Sequence, residues 1–297
     1  MDRVAGIIVF RSPLAAECRE RSLVLKAMNI EHAVRSHADE WALIVPEHRV
    51  PVAVRQLDHY ARESRNWPAG RPTSLPHHPL SPTGVVIGLA VLLAVAAAEG
   101  KVLFGRDWFE AGRVDTALVR QGEWWRAVTA LTLHVDVGHL LGNLLLGGIF
   151  GLVAGRLLGN GLAWFGIVVA GVAGNAVSAV VQPPPHSAVG ASTAVFAALG
   201  LIAAYVWRRR VELPLRWAAR WAPIVVAAVL LAWTGSGNGR TDVVAHLTGF
   251  LAGIALGVAY GAIVPALKLG PRSQWVLGVG AVAIVAAAWS IALAKAG

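Results

Sequence analysis

The stretch DVVAHLTGFLAGIALGVAYGAIV, residues 242–264, decides how the rest of the chain is read. After Asp242 it holds no Asp, Glu, Lys or Arg, and its one histidine is His246. A bilayer core needs roughly 20 apolar residues per helix, so the run is long enough to span. Gly249, Gly253 and Gly257 follow His246 at i+3, i+7 and i+11. Glycines repeating every four residues line one helix face with the histidine, and such a face lets a neighbouring helix come close. The run does not alternate in character over ten-residue segments, which excludes a β-barrel strand.

Six further runs share this character, at about 83–99, 138–158, 161–181, 190–207, 219–234 and 274–294. The chain of 297 residues is 56% hydrophobic and 14% charged, against about 25% charged in an average soluble domain. That composition excludes a disordered protein and argues for a polytopic α-helical membrane protein. Glu99–Val137, between the first two runs, is too polar to span. Its Trp108, Phe109, Trp124 and Trp125 suit a membrane–water interface. Before Thr83 the segment Asn66–Pro82 contains five prolines and reads as an extended linker.

Residues 1–65 read as a small soluble α/β domain of order βαββα. Val4–Phe10 is expected as a buried strand, with Ser12 as N-cap and Pro13 as the first residue of a helix. Strands are expected at Ile30–Ser36 and Trp41–Val45, and a second helix at Val50–Ser64. Its histidines 32, 37, 48 and 59 are scattered and read as ordinary surface or edge residues. A lone cysteine, Cys18, excludes an intramolecular disulfide and a Cys-rich zinc site. The start MDRVAGIIVF carries no cleavable signal pattern.

The net charge of +9 could suggest nucleic acid, but no motif supports that. It resolves instead by compartment. Residues 1–80 hold eleven Lys and Arg against nine acids. The loops near Arg156, Arg208–Arg220 and Lys268–Arg272 hold eight against one, and the remaining segments balance. The positive-inside rule then puts the N-terminal domain and these loops in the cytoplasm, and the C-terminus outside.

Polar side chains inside spans are costly, so each is a functional candidate. Ser192 follows Val189-Gly190-Ala191 at an expected helix start. First-turn N–H groups there are unpaired and could stabilise an oxyanion. Alone, the motif reads rather as a small-residue packing patch. The helix after it offers Ala194, Ala197, Ala198 and Gly200 as small partners for the glycine face behind His246. Close packing could therefore bring Ser192 to His246, and a serine nucleophile needs such a base. Alone, His246 could equally bridge helices. His139 and Asn143 share one helix face and offer uncharged donors, or else simple interhelical hydrogen bonds. Asn175 and Ser178 are further buried polar candidates. Asp242 reads as an N-cap rather than an acid orienting His246. A nucleophile, a base and oxyanion donors on three helices are the set acyl transfer requires.

At this point the sequence resembles the rhomboid family of intramembrane serine proteases over about residues 83–264. Five ordered motifs carry the resemblance: Gly122-Glu123-Trp124-Trp125-Arg126, HVDVGHLLGN (134–143), Gly174-Asn175-Ala176-Val177-Ser178, GASTAVF (190–196) and AHLTGFLAGIALG (245–257). The resemblance implies a six-helix core at 83–264, with a cytoplasmic loop and one more transmembrane helix in 265–297. It implies Ser192 as nucleophile and His246 as general base. His139, Asn143 and the Ser192 N–H would form the oxyanion hole. Gly190, Phe196, Gly249, Trp125 and Arg126 would support the site, with Phe196 against the histidine ring. No metal or organic cofactor is implied. The implied substrates are transmembrane segments of other proteins, within a bilayer that is bacterial and plasma-membrane in type. Thr193 departs from the glycine common after the serine, and its branched side chain could crowd the site. The alternative is a catalytically inactive rhomboid-like factor that binds or routes membrane proteins, but it predicts a missing Ser or His. A transporter predicts internal repeats or charged pathway residues within spans, and neither is visible. The N-terminal domain lies outside the resemblance and could gate activity, bind a regulatory partner or support dimerisation.

Overall fold

The computed structural model describes residues 6–37, 40–64, 77–99, 102–103, 106–211, 217–235, 242–267 and 269–295. The chain divides into two compact units, Met1–Thr73 and Ser74–Gly297.

The first unit runs β1 (Ile7–Ser12), α1 (Ala15–Ala27), β2 (Ala33–His37), β3 (Glu40–Val45), a short 3₁₀ turn and α2 (Val50–Ser64). The sheet is antiparallel in the order β1-β3-β2. Central β3 is therefore the strand that buries Leu43 and Val45 completely, against Leu25, Ile30, Ala53 and Leu57. Ala53 and Leu57 lie four apart, which puts both on the inner face of α2. Three expectations are corrected. The second strand begins at Ala33 rather than Ile30, whose N–H donates to the Leu25 carbonyl at the helix end. The first strand is shifted to Ile7–Ser12 and is a largely exposed edge, because only its β3 side is paired; Val4 lies outside the described residues. Ser12 ends that strand, and its Oγ accepts from the Leu14 N–H, so the helix starts later with Leu14 as N-cap.

The second unit is helical. It contains α3 (Thr83–Ala98), the pair β4 (Val102–Leu103) and β5 (Arg106–Asp107), α4 (Trp108–Gly112), β6 (Val114–Asp115), α5 (Thr116–Arg120) and α6 (Arg126–Thr129). These are followed by α7 (Val137–Leu158), α8 (Asn160–Val181), β7 (Ser187–Ala188), α9 (Ser192–Val211), α10 (Trp217–Gly235), α11 (Val243–Ile263) and α12 (Pro271–Lys295). A helix occupies each of the seven apolar runs. Among the described residues, α7, α8, α11 and α12 are long and apolar enough to cross a membrane, while α3 and the apolar part of α10 are shorter. Leu141, Leu145, Ile149 and Val153 form a four-spaced stripe on α7 that is 42–65% exposed. Val225, Val229 and Trp233 do the same on α10. Stripes this apolar suit lipid rather than water. The protein is a polytopic helical membrane protein with a small N-terminal α/β unit.

Tight spots between helices set the packing. A Cβ added at Gly253 would stand 2.1 Å from the Ala197 carbonyl oxygen. One at Gly249 would stand 2.4 Å from that of Thr193, and one at Gly257 2.5 Å from that of Leu201. Thr193, Ala197 and Leu201 also repeat every four, so two matched rows bring the backbones of α9 and α11 together. Of the small residues expected to meet α11, Ala197 and Gly200 do so, Gly200 facing the Phe250 carbonyl. Ala194 instead faces Gly171 of α8, and Ala198 joins the core around Leu158, Leu162 and Ile167. On the other side, Trp164 of α8 wedges between Gly84 and Gly88 of α3 and Gly151 of α7.

Trp108 and Trp125 are packed against other side chains. Trp125 is 6% exposed and clusters with Val128, Leu133 and Trp289 of α12. Trp108 lies 4.8 Å from Trp289, ring to ring. Trp124 is 59% exposed.

Gly253→Ala should destabilise the fold by about 1–3 kcal/mol, the usual cost of overpacking. The expected sign is a lower thermal unfolding midpoint of the detergent-solubilised protein; an unchanged midpoint would refute the close α9–α11 approach.

Candidate active site

Ser192 is the first residue of α9, and His246 lies one turn into α11. The close approach of these helices leaves Ser192 Oγ and His246 Nε2 2.8 Å apart, within hydrogen-bond distance. His246 is 7% exposed, and the Phe196 ring packs on it at 4.6 Å. Phe196 reaches the histidine because it stands one helical turn after Ser192, on the face turned to α11.

The backbone before Ser192 is held from the other side. Gly190 has φ +135°, a conformation L side chains rarely adopt. Its N–H donates to the Ala130 carbonyl at 2.9 Å. A Cβ there would stand 2.6 Å from His139 Cε1, so glycine is required both for conformation and for room. His139 and Asn143 lie on α7, capped by Asp136, whose carboxylate accepts from the His139 N–H at 2.7 Å. The Asn143 Nδ2 donates to the His139 carbonyl at 3.0 Å. Asn143 and Ala191, the residue before the serine, line one apolar cavity of about 690 Å³. The structure thus brings Ser192, His246, Phe196, Gly190 and His139 together, with Asn143 one turn further along α7.

Gly249 lies behind the pair, with Gly174 of α8 against it. Thr193 does not crowd Ser192. It is 3% exposed and its Cγ2 sits between Gly174 and Gly249, which lack the side chains that would obstruct it.

Trp125 and Arg126 are not beside the Ser–His pair. Arg126 is buried and donates through Nη1 to the Glu110 and Arg113 carbonyls, and through Nε to Glu123. One guanidinium thus gathers two backbone carbonyls and one carboxylate, as its planar fork of donors allows. Asn175 donates to the Ala127 carbonyl, so that candidate serves to fix α6 on α8. Ser178 accepts from Gln182. Trp289 Nε1 donates to Thr132 Oγ1 at 3.0 Å.

Three groups carried no sequence signal of this kind. His134 was seen only as part of a spacing, yet its Nε2 faces the Ala191 N–H at 3.4 Å and its ring stands 5.2 Å from that of His139. Glu99 caps this arrangement by accepting the His134 N–H at 2.9 Å. Asp242 is the N-cap expected, accepting from the Ala245 N–H at 2.9 Å, but it also receives His186 Nε2 at 2.8 Å. Nothing in a loop written Pro183-Pro184-Pro185-His186 announces that partner. Among the described residues no group of His, Cys, Asp or Glu is arranged to hold a metal ion.

Comparison with known proteins agrees with this architecture. A family model described as the rhomboid domain matches residues 121–263. The chain is 26% identical over 240 residues to "Rhomboid protease GluP" of Bacillus subtilis, covering 80% of this chain and 45% of that protein. It is 30% identical over 138 residues to "Putative rhomboid protease YdcA" of the same organism, covering 46% of this chain and 68% of the relative. It is 34% identical over 149 residues to "Rhomboid-like protease 2" of Toxoplasma gondii, covering 48% and 49%. The helical unit and its site define a helical membrane protein with a serine and a histidine joined across two helices. The chain belongs to the rhomboid family. It spans about half the length of the GluP and Toxoplasma relatives.

Burial, with the nearby His139 ring adding to it, pushes His134 down to about 4 from an ordinary 6.5. Between those values the unfolded chain binds a proton that the folded protein refuses, so acid favours unfolding there. The unfolding midpoint should fall as pH drops from 6.5 towards 4, and His134→Gln should make that slope shallower. An equally steep slope in the variant would remove His134 from the explanation.

Proposed function

We propose that the chain is an intramembrane serine endopeptidase that cleaves transmembrane segments of other membrane proteins. The observation that carries this reading is the 2.8 Å separation of Ser192 Oγ and His246 Nε2 on two closely packed helices. Membership of the rhomboid family supports it independently.

In this reading His246 takes the Ser192 hydroxyl proton as Oγ attacks a peptide carbonyl. The oxyanion that forms is met by the Ser192 backbone N–H, His139 and Asn143. A helix start leaves its first N–H groups without intrahelical partners, which suits the first of these donors. An amide carries two N–H donors, and the His139 carbonyl uses one from Asn143, which leaves the second for substrate. His246, now protonated, gives its proton to the leaving amine. The acyl-enzyme is then hydrolysed by water that His246 activates in turn. Phe196 holds the imidazole in place. Gly190 and Gly249 keep the approaches to the pair free of side chains. Trp125 and Arg126 support the segment over the site.

A helical peptide bond hides its carbonyl in the helix ladder. Substrates with helix-weakening residues such as glycine would expose it most easily. The distribution of Lys and Arg supports an N-terminus in the cytoplasm, a C-terminus outside and Ser192 towards the outer face of a bacterial plasma membrane. Residues 1–65 form a separate cytoplasmic module joined by the 66–82 linker to the 83–264 core, with residues 265–297 adding the seventh span. No catalytic residue is assigned to the module, so removal of residues 1–80 should leave cleavage of a purified substrate intact. A changed turnover would make the module a gate.

Ser192→Ala and His246→Ala should each lower cleavage of a model transmembrane substrate in liposomes by at least about 10³-fold. Labelling by a serine-directed fluorophosphonate should vanish in Ser192→Ala. Full activity in either variant would end the proposal.

A further inference from the structure

The matched rows of α9 and α11 fix how close these helices come. They do less to fix how far one slides along the other, because small residues every four positions present a shallow, repeating surface. A slide of a single ångström would misplace Ser192 Oγ against His246 Nε2. Something outside the rows must therefore set the axial position.

We infer that Gln182, His186 and Asp242 form a clasp that sets this axial position, so that they are positioning residues for Ser192 and His246. The inference rests on the reading of those two as the reacting pair. Asp242 is rigid with respect to the base. Its backbone carbonyl accepts the His246 N–H at 3.1 Å, and its carboxylate caps the helix through the Ala245 N–H. The same carboxylate then receives His186 Nε2 at 2.8 Å and Gln182 Nε2 at 3.1 and 3.2 Å. Both partners come from the segment that leads into the serine.

That segment is itself anchored. Gln182 closes the end of α8, where Nε2 also donates to Ser178 Oγ at 2.8 Å. The His186 backbone is bonded on both sides to Thr116, its N–H to Oγ1 and its carbonyl to the Thr116 N–H. Thr116 is fully buried. The next two residues, Ser187 and Ala188, pair with Asp115 and Val114. Gly190 then reaches the Ala130 carbonyl, two residues before Ser192. The start of the base helix is therefore bonded to a segment that is itself pinned at several points on its way to the start of the nucleophile helix. The Asp242 carboxylate is the joint.

The test uses the full chain in liposomes with a fluorogenic transmembrane substrate, and compares His186→Ala, Asp242→Asn and the double variant. Asparagine is as good an N-cap as aspartate, so the cap survives in Asp242→Asn while the acceptor facing His186 and Gln182 is weakened. Each single variant should lose roughly tenfold or more in kcat, the scale of a small misplacement, with KM and the unfolding midpoint near the parent's. The double variant should be no worse than the poorer single one, because both changes open the same joint. Unchanged kcat in both single variants, a loss carried by KM alone, or multiplying losses in the double variant would overturn the clasp. Retained cleavage in Ser192→Ala would instead overturn the underlying assignment of the nucleophile, which keeps the two failures distinct.

Discussion

The structure depends on one contact, the approach of two helix backbones to a distance at which a methyl group has no room. Gly249, Gly253 and Gly257 lie against the carbonyls of Thr193, Ala197 and Leu201. In a bilayer the lipid tails are as apolar as the side chains, so helices gain little from hiding leucine from the solvent. Close backbone packing is what remains. Here it also brings Ser192 to His246, because serine and histidine side chains are short and need their helices this close to meet at 2.8 Å. The two polar groups can be buried among apolar helices because they bond to each other.

Around that contact the remaining polar side chains act mostly on backbone. Arg126, Asn175 and Thr129 each hold a carbonyl of the α3–α7 segment or of the turn beside it. Irregular backbone at membrane depth survives only where such groups are met by protein. The segment is thus not a tether between helices but a folded layer, with Trp108 and Trp125 packed onto Trp289 of α12. The seventh helix, which the family resemblance left outside the core, is packed into it.

Much of this was legible in the sequence, and the parts that were not share a cause. Apolar length and glycine period are properties of one helix, so the positions of the seven helices and the face carrying His246 could be read directly. The pairing of Ser192 with His246 followed from two such faces. What could not be read was which residues of α9 meet α11. The row containing Thr193 and Leu201 is less conspicuously small than the alanines beside it, and the choice depends on the rotation of α9 against a third helix, α8. Ser12 failed as an N-cap for a related reason. Its capping chemistry is real, but pairing to β3 claimed the residue for the strand. Nor could the packing of Trp108 and Trp125 be read, because an exposed aromatic and a buried one have the same composition, and only the partner, Trp289, separates them. His186 and Asp242 lie 56 residues apart with no period to link them.

Trp289 has a consequence for how the molecule is made. Its bond to Thr132 closes over 157 residues, so the two partners are separated by most of the helical unit when the chain is threaded into the bilayer. Helices inserted one after another can pair with their neighbours as they arrive, but contacts of long sequence separation form late. The layer packed on Trp289 thus receives its keystone only after α11 has already been delivered. The order of the chain lets α9 meet α11 before α12 is available to close the layer around Trp125 and Thr132.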